Sequence, residues 1–266
     1  MSDAVRGLAR YSPSFVDALR EHAPELLQQP GVTLGGQQVP EVPHGTTVAA
    51  ICYADGVVVG GDRRSTEGYA IAQRDVEKVF PADDFSAVAI AGAAGPAIEM
   101  VRLFQTELEH YEKVEGLPLS LEGKANKLGQ MVRGNLGMAM QGLVVVPLFC
   151  GYDQRRLTGR IFRYDVTGGR WEDADYHANG SGGKDARATI KKRYRHGMDR
   201  ESAADILVEG LYDAAEEDAA TGGPDLIRGI FPVVATVTAE GYRRLPDEDV
   251  RKAAERVVAA RARGEG

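Results

Sequence analysis

Gly45-Thr46-Thr47 stands where the character of the chain changes. Before it lies a stretch rich in Pro, Gly and Gln; after it apolar and polar residues alternate, as strands do. A threonine hydroxyl is a weak nucleophile and needs a base within hydrogen-bond reach. A cut between Gly45 and Thr46 would supply one. The freed α-amine has an unperturbed pKa of about 7.7–8.0 and is neutral in part near pH 7, unlike a lysine amine at about 10.4. Thr46 then reads as a nucleophile whose own amine is the base. A Gly-Thr pair alone specifies almost nothing, so the reading rests on what surrounds it.

The elements that must position Thr46 begin with a hairpin. Residues 46–53 and 57–62 read as paired strands, and Asp55-Gly56 is a strong type I′ turn signal. With those two residues as the loop, Thr46 faces Ser65 and the first strand starts beside the end of the second, near Asp62. Asp62 lies three positions from Ser65 and would point to the opposite face of a regular strand. A bulge at Gly60-Gly61 would bring it round.

Composition bounds the class. The 266 residues fit one large domain or two small ones, and 43% hydrophobic residues supply a sizeable core. A net charge of −7 and a pI near 5.4 argue against a general nucleic-acid binder. No segment reaches the roughly 18 apolar residues of a membrane span; the longest strongly apolar run, 143–150, is interrupted by Pro147. Residues 13–30 carry Asp17, Arg20, Glu21 and Glu25 where a signal peptide has its apolar centre. Cys52 and Cys150 sit in apolar runs and read as buried thiols of a reducing compartment. These features predict a cytoplasmic protein without membrane contact. The five histidines show no metal-ligand spacing, and His44 reads as a loop residue. Neither metal nor cofactor is expected.

Along the chain, an amphipathic helix is expected near 14–27. Pro30, Gly31, Gly35, Gly36, Pro40 and Pro43 make 28–45 a linker. Composition alone leaves 1–45 open between a disordered tail and a removable propeptide. Short strands follow at 68–72, 78–80 and 86–91. A helix at 96–112 carries an apolar stripe of Ile98, Val101, Phe104, Leu108 and Tyr111. A second, 120–141, starts at Ser120 as N-cap. Strands are expected at 144–152, 160–165 and 171–177, helices at 184–194 and 200–217, strands at 230–237 and 242–245, and a last helix at 246–261. Segregated blocks of this kind favour an α+β fold of two packed sheets with helices outside.

Taken together, Gly45-Thr46-Thr47, Gly61-Asp62-Arg63-Arg64-Ser65-Thr66, Lys78, Ala91-Gly92, Gly180-Ser181-Gly182, and Asp218 with Thr221-Gly222-Gly223 closely resemble a proteasome β subunit, in particular the bacterial, actinobacterial-type form. The resemblance spans 45–260. It implies a four-layer αββα sandwich of the N-terminal-nucleophile hydrolase type, and a division into a self-cleaved propeptide, 1–45, and a catalytic domain, 46–266. It also implies roles. Thr46 is nucleophile and base, Asp62 and Lys78 support it, and the Gly92 amide is an oxyanion donor. The Lys78 cation would lower the amine pKa by like-charge repulsion, and Asp62 would keep Lys78 charged. Ser181, Asp218 and Thr221 form a hydrogen-bonded shell around the amine; the family more often has Ser where this chain has Thr221. The substrate pocket is formed by Ser65, Thr66, Val76, Ile90 and Ala94, with Ile90 at its floor.

The implied partners are α subunits and other β subunits in a barrel of four seven-membered rings, an ATP-driven unfoldase ring, and unfolded or modifier-tagged substrates. Three other readings compete. An HslV-type peptidase differs after the glycine-aspartate pair and normally has little propeptide. A non-catalytic ring subunit typically loses the threonine, lysine or processing glycine, which this chain keeps. A small-molecule amidase with the same nucleophile would act on simple amides.

Overall fold

The computed structural model describes residues 45–67 and 70–264. The expected helix at 14–27, the linker up to His44, and Gly68-Tyr69 lie outside these residues. Twelve strands and six helices follow among the described residues. The strands are β1 Thr47–Tyr53, β2 Gly56–Gly61, β3 Ser65–Glu67, β4 Ala70–Gln73, β5 Val79–Asp83, β6 Ser86–Gly92, β7 Val145–Asp153, β8 Thr158–Tyr164, β9 Arg170–Asp173, β10 Tyr176–Gly180, β11 Val233–Thr238 and β12 Gly241–Arg244. The helices are α1 Ala94–Glu115, α2 Leu121–Gly134, α3 Leu136–Ala139, α4 Gly183–Arg193, α5 Arg200–Glu217 and α6 Asp247–Ala262.

Two five-stranded antiparallel sheets, ordered β10-β1-β2-β11-β12 and β5-β6-β7-β8-β9, pack face to face. Side-chain periodicity sets the layers. Along β1, Val48, Ala50 and Cys52 point into the seam between the sheets, while Ala49, Ile51 and Tyr53 point to the helices. The seam is filled by small and β-branched residues, among them Val57, Val59, Ala87, Ala89, Val233 and Ala235, which lets the sheets approach closely. Helices α4, α5 and α6 cover the outer face of the first sheet through Ile190, Leu207, Leu211 and Ala254. Helices α1 and α2 cover the second through Phe104, Leu108 and Leu128 against Phe149 and Phe162. The result is a four-layer αββα sandwich, as expected. No helix among the described residues is long and apolar enough to cross a membrane.

Local signals account for the helix ends. Ser120 accepts from the Gly123 amide at 3.1 Å to cap α2, and Asp199 accepts from Ser202 at 2.8 Å to cap α5. Asp247, Glu248 and Asp249 complement the dipole at the start of α6.

Four expectations need correction. First, β1 and β2 are buried along their whole length. They are central strands covered on both faces, so apolar–polar alternation is not their pattern. Second, Tyr53 pairs with Gly56 and Val48 with Gly61, so the loop is Ala54-Asp55 and the register sits two residues from the expected one. Gly56 is needed elsewhere: a Cβ there would stand 2.2 Å from the Val237 carbonyl oxygen of the adjacent strand. The Asp62 amide donates to the Thr47 carbonyl at 3.0 Å, continuing the regular register, so no bulge is required to bring Asp62 to the start of β1. Third, 171–177 is not one strand; β9 closes the edge of the second sheet and β10 the edge of the first. Fourth, the helix expected over 120–141 ends at Gly134, and α3 follows after Asn135.

Candidate active site

One end of the sandwich gathers every element that carries a candidate residue. Thr46 precedes β1, Asp62 follows β2, Lys78 precedes β5, Gly92 ends β6, Ser181 follows β10 and Asp218 ends α5. Antiparallel pairing of β1 with both β2 and β10 brings the start of β1 beside the two strand ends. Residues 16 to 175 positions away from Thr46 in the chain thereby meet around it.

Thr46 is 5% exposed. Its hydroxyl donates to the Gly45 carbonyl at 2.6 Å, and its amide donates to Ser181 Oγ at 3.4 Å. Asp62 is fully buried, yet every direction around its carboxylate is met. Oδ1 accepts from the Thr47 amide and Lys78 Nζ, both at 2.7 Å. Oδ2 accepts from the Arg64 and Gly222 amides, both at 2.9 Å. Such charge-assisted bonds are what a buried carboxylate requires.

Lys78 donates three times: to Asp62, to the Arg64 carbonyl at 2.5 Å and to the Gly45 carbonyl at 3.1 Å. Three acceptors match the three N–H bonds of an ammonium. Burial lowers its pKa from the ordinary lysine value, and the Asp62 carboxylate opposes that shift without cancelling it.

A second cluster lies on the other side of Thr46. Ser181 Oγ donates to Asp218 Oδ2 at 2.5 Å, and Thr221 Oγ1 donates to the same oxygen at 2.6 Å. The Ala220 amide donates to Asp218 Oδ1 at 3.0 Å. Burial works to raise the Asp218 pKa. The bonds from Ser181, Thr221 and Ala220, with the Lys78 charge, outweigh it and hold the carboxyl below its ordinary range.

A small cavity opens beside Thr46, lined by Ser65, Val76, Ile90 and Ala94, and also by Gly92, Ala97, Ile98, Glu77 and Lys78. Its free volume is about 20 Å³, room for one water. Glu77 and Lys78 bring two charged residues into this lining. Lys78 is engaged by Asp62, and Glu77 pairs with Arg244. Thr66 is not part of this lining; its hydroxyl stands by Gly45. Gly92 has φ +119°, and a Cβ there would lie 2.0 Å from the Val144 carbonyl oxygen, so the position accepts only glycine.

Residues 42–227 match the family model described as proteasome subunit. The chain belongs to the proteasome subunit family. It is similar to the proteasome subunit beta of Acidimicrobium ferrooxidans, 63% identical over 225 residues that cover 84% of this chain and 82% of that one. The proteasome subunit beta of Acidothermus cellulolyticus is 56% identical over 257 residues, 95% of this chain and 89% of that one. The proteasome subunit beta 2 of Thermomonospora curvata is 55% identical over 248 residues, 93% and 89% respectively.

Family members are subunits, so this chain works within an assembly. Within this proteasome subunit, three contributors carried no role in the sequence reading. The Arg64 backbone bonds both Asp62 and Lys78, the Gly222 amide bonds Asp62, and Thr47 bonds Asp62 through its amide. Arg64, Thr47 and Gly222 all sit inside quoted motifs, but backbone donors leave no mark in residue type.

Proposed function

We propose that this chain is the catalytic β subunit of a 20S proteasome, a threonine-type endopeptidase that hydrolyses unfolded proteins through an acyl-enzyme on Thr46. The observation that carries this reading is the convergence of the Thr46 hydroxyl and the Lys78 ammonium on one carbonyl, that of Gly45, with Asp62 holding Lys78 in place. A purely structural subunit has no need of a buried ion pair aimed at a peptide bond.

Residues 1–45 act as a propeptide removed by the chain itself. While Gly45 is attached, the Thr46 nitrogen is an amide without a basic lone pair. The hydroxyl therefore attacks the Gly45 carbonyl carbon, losing its proton as the new C–O bond forms. The Lys78 ammonium stabilises the negative charge that develops on the Gly45 oxygen. The C–N bond then breaks, the nitrogen leaves as an amine carrying a proton, and an ester remains. Water opens the ester, releases the Gly45 carboxylate and restores the Thr46 hydroxyl.

In the mature subunit the Thr46 amine takes the hydroxyl proton as Oγ1 attacks a substrate carbonyl. Lys78⁺ lowers the amine pKa by repulsion, and Ser181, held by Asp218, orients it. The Gly92 amide is proposed as the oxyanion donor in this second reaction, and Thr66 as a further substrate contact. The assembly proposed is four seven-membered rings with α subunits outside, served by an ATP-driven unfoldase and modifier-tagged substrates in the cytoplasm. Exposed Leu103, Val114, Leu117 and Met140 on and after α1 and α3 support burial of these helices against other subunits.

The test is the intact mass of Thr46→Ala assembled without any active partner protease. An uncut, inactive chain is expected, and Thr46→Ser should retain some processing. A Thr46→Ala chain that still begins at residue 46 would overturn self-cleavage.

A further inference from the structure

We infer that Thr47, and not only its neighbour, belongs to the working site: it is a positioning residue that locks the Ser181–Asp218–Thr221 cluster to the Asp62–Lys78 pair. This rests on the threonine-protease reading given above. Thr47 is fully buried. Its amide donates to Asp62 Oδ1 at 2.7 Å. Its hydroxyl lies 2.6 Å from Thr221 Oγ1 and accepts from the Gly182 amide at 3.0 Å. One residue thus reaches both halves of the site.

Donor counting fixes the direction of the hydroxyl contact. Each threonine hydroxyl has one proton to give. Thr221 gives its proton to the Asp218 carboxylate, which as an anion only accepts. The proton between the two threonines must therefore come from Thr47. The bonds then run one way: Gly182 N–H to Thr47, Thr47 to Thr221, Thr221 to Asp218. From the other side, the Thr46 nitrogen donates to Ser181 and Ser181 to Asp218. Thr46 and Thr47 are consecutive, as are Ser181 and Gly182, so the two chains of bonds close into a ring on Asp218. Hydrogen bonds that run in one sense strengthen each other in a buried setting.

In this ring the Thr47 hydroxyl fixes Thr221, which fixes the Asp218 oxygen that aims Ser181 at the Thr46 nitrogen. Space is tight around it: a Cβ on Gly182 would stand 2.7 Å from Thr47 Oγ1 and 2.9 Å from Thr221 Oγ1. The hydroxyl pair has little freedom to find another arrangement.

The experiment compares Thr47→Val and Thr47→Ser in the assembled, processed particle, with kcat and KM measured separately on a fluorogenic peptide. Loss of one such bond should reduce kcat of the valine variant about tenfold while KM changes less than about twofold. The serine variant should keep kcat near wild type. In a Thr221→Val background the same Thr47→Val change should cost nothing further, because its target is gone. Should the valine variant not assemble, Thr47→Cys, a far weaker donor, takes its place with the same expectation. An unchanged kcat in the valine or cysteine variant, a serine variant as slow as valine, or fully additive losses with Thr221→Val would each overturn the inference. If instead the wild-type particle hydrolyses peptide equally well as Thr46→Ala, the underlying reading fails, and the two failures are distinct.

Discussion

Lys78 Nζ donates to the carbonyl oxygen of Gly45 at 3.1 Å while it holds Asp62 Oδ1 at 2.7 Å. The ammonium is therefore already on the oxygen where charge would build up if the Gly45–Thr46 bond were attacked. Both partners are almost fully buried, so neither charge has water to fall back on.

Lys78→Ala should leave the Gly45–Thr46 bond intact and abolish peptide turnover. Asp62→Asn should impair both as well, and it leaves a buried ammonium without its counter-charge, at a cost of about 3–5 kcal/mol in stability. Intact mass reports processing, and thermal unfolding reports stability. A Lys78→Ala chain that is processed at the wild-type rate would remove Lys78 from the self-cleavage step.

Gly45→Ala tests how tightly the scissile carbonyl is placed. An added Cβ would meet the Ala220 carbonyl oxygen at 2.6 Å, and Ala220 Cβ and Thr66 Oγ1 at 2.7 Å. None of these is a flexible side-chain end, so the Gly45 peptide must shift. A misplacement of about 1 Å at a reacting centre can cost about a hundredfold in rate. Processing followed by mass against time should slow by at least tenfold on that scale. Wild-type kinetics for this variant would show that the carbonyl position is not limiting.

Much of the site is legible in the sequence. The threonine, aspartate, lysine and serine motifs lie at strand ends and turns, where local residue type is informative, and the structure gathers them at one end of the sandwich. What was misread depended on distant chain. Asp55-Gly56 carries a strong turn signal, but the lack of a side chain at Gly56 answers to Val237, 181 residues on. The strand expected over 171–177 has no Gly or Pro to mark a break, yet the chain crosses between sheets at Ala174-Asp175, and the Asp175 carbonyl accepts from the Cys52 amide at 2.7 Å. Thr47 is a strand residue whose side-chain role leaves no local mark, because its partners, Thr221 and Gly182, are 174 and 135 residues away.

Asp218 predicts a response to acid. Its folded pKa lies below the ordinary value of 3.8, held there against burial by Ser181, Thr221 and Ala220. A depressed carboxyl pKa contributes stability that is fully present above the unfolded value and is lost as pH falls through the folded one. The unfolding midpoint of the wild-type chain should therefore drop more steeply below about pH 4 than that of Asp218→Asn. Parallel pH curves for the two would show that Asp218 carries no linked proton.

The cavity beside Thr46 predicts the side chain accepted on the N-terminal side of the cut bond. Val76, Ile90, Ala94, Ala97 and Ile98 give it apolar walls. The charges at its edge already have partners: Lys78 with Asp62, and Glu77 with Arg244. A charged substrate side chain would lose its water there and find no free counter-ion, whereas an apolar one gains by burial. A peptide library should therefore show apolar residues favoured at that position. Ile90 is 5% exposed and packs among Val88, Ala97 and Val145 as well as facing the cavity. Truncating it to Ala removes wall, so the preference should move toward larger apolar side chains, with about 2–5 kcal/mol lost in stability. A wild-type profile dominated by Arg or Asp would sink this assignment of the pocket, and so would an Ile90→Ala profile identical to wild type.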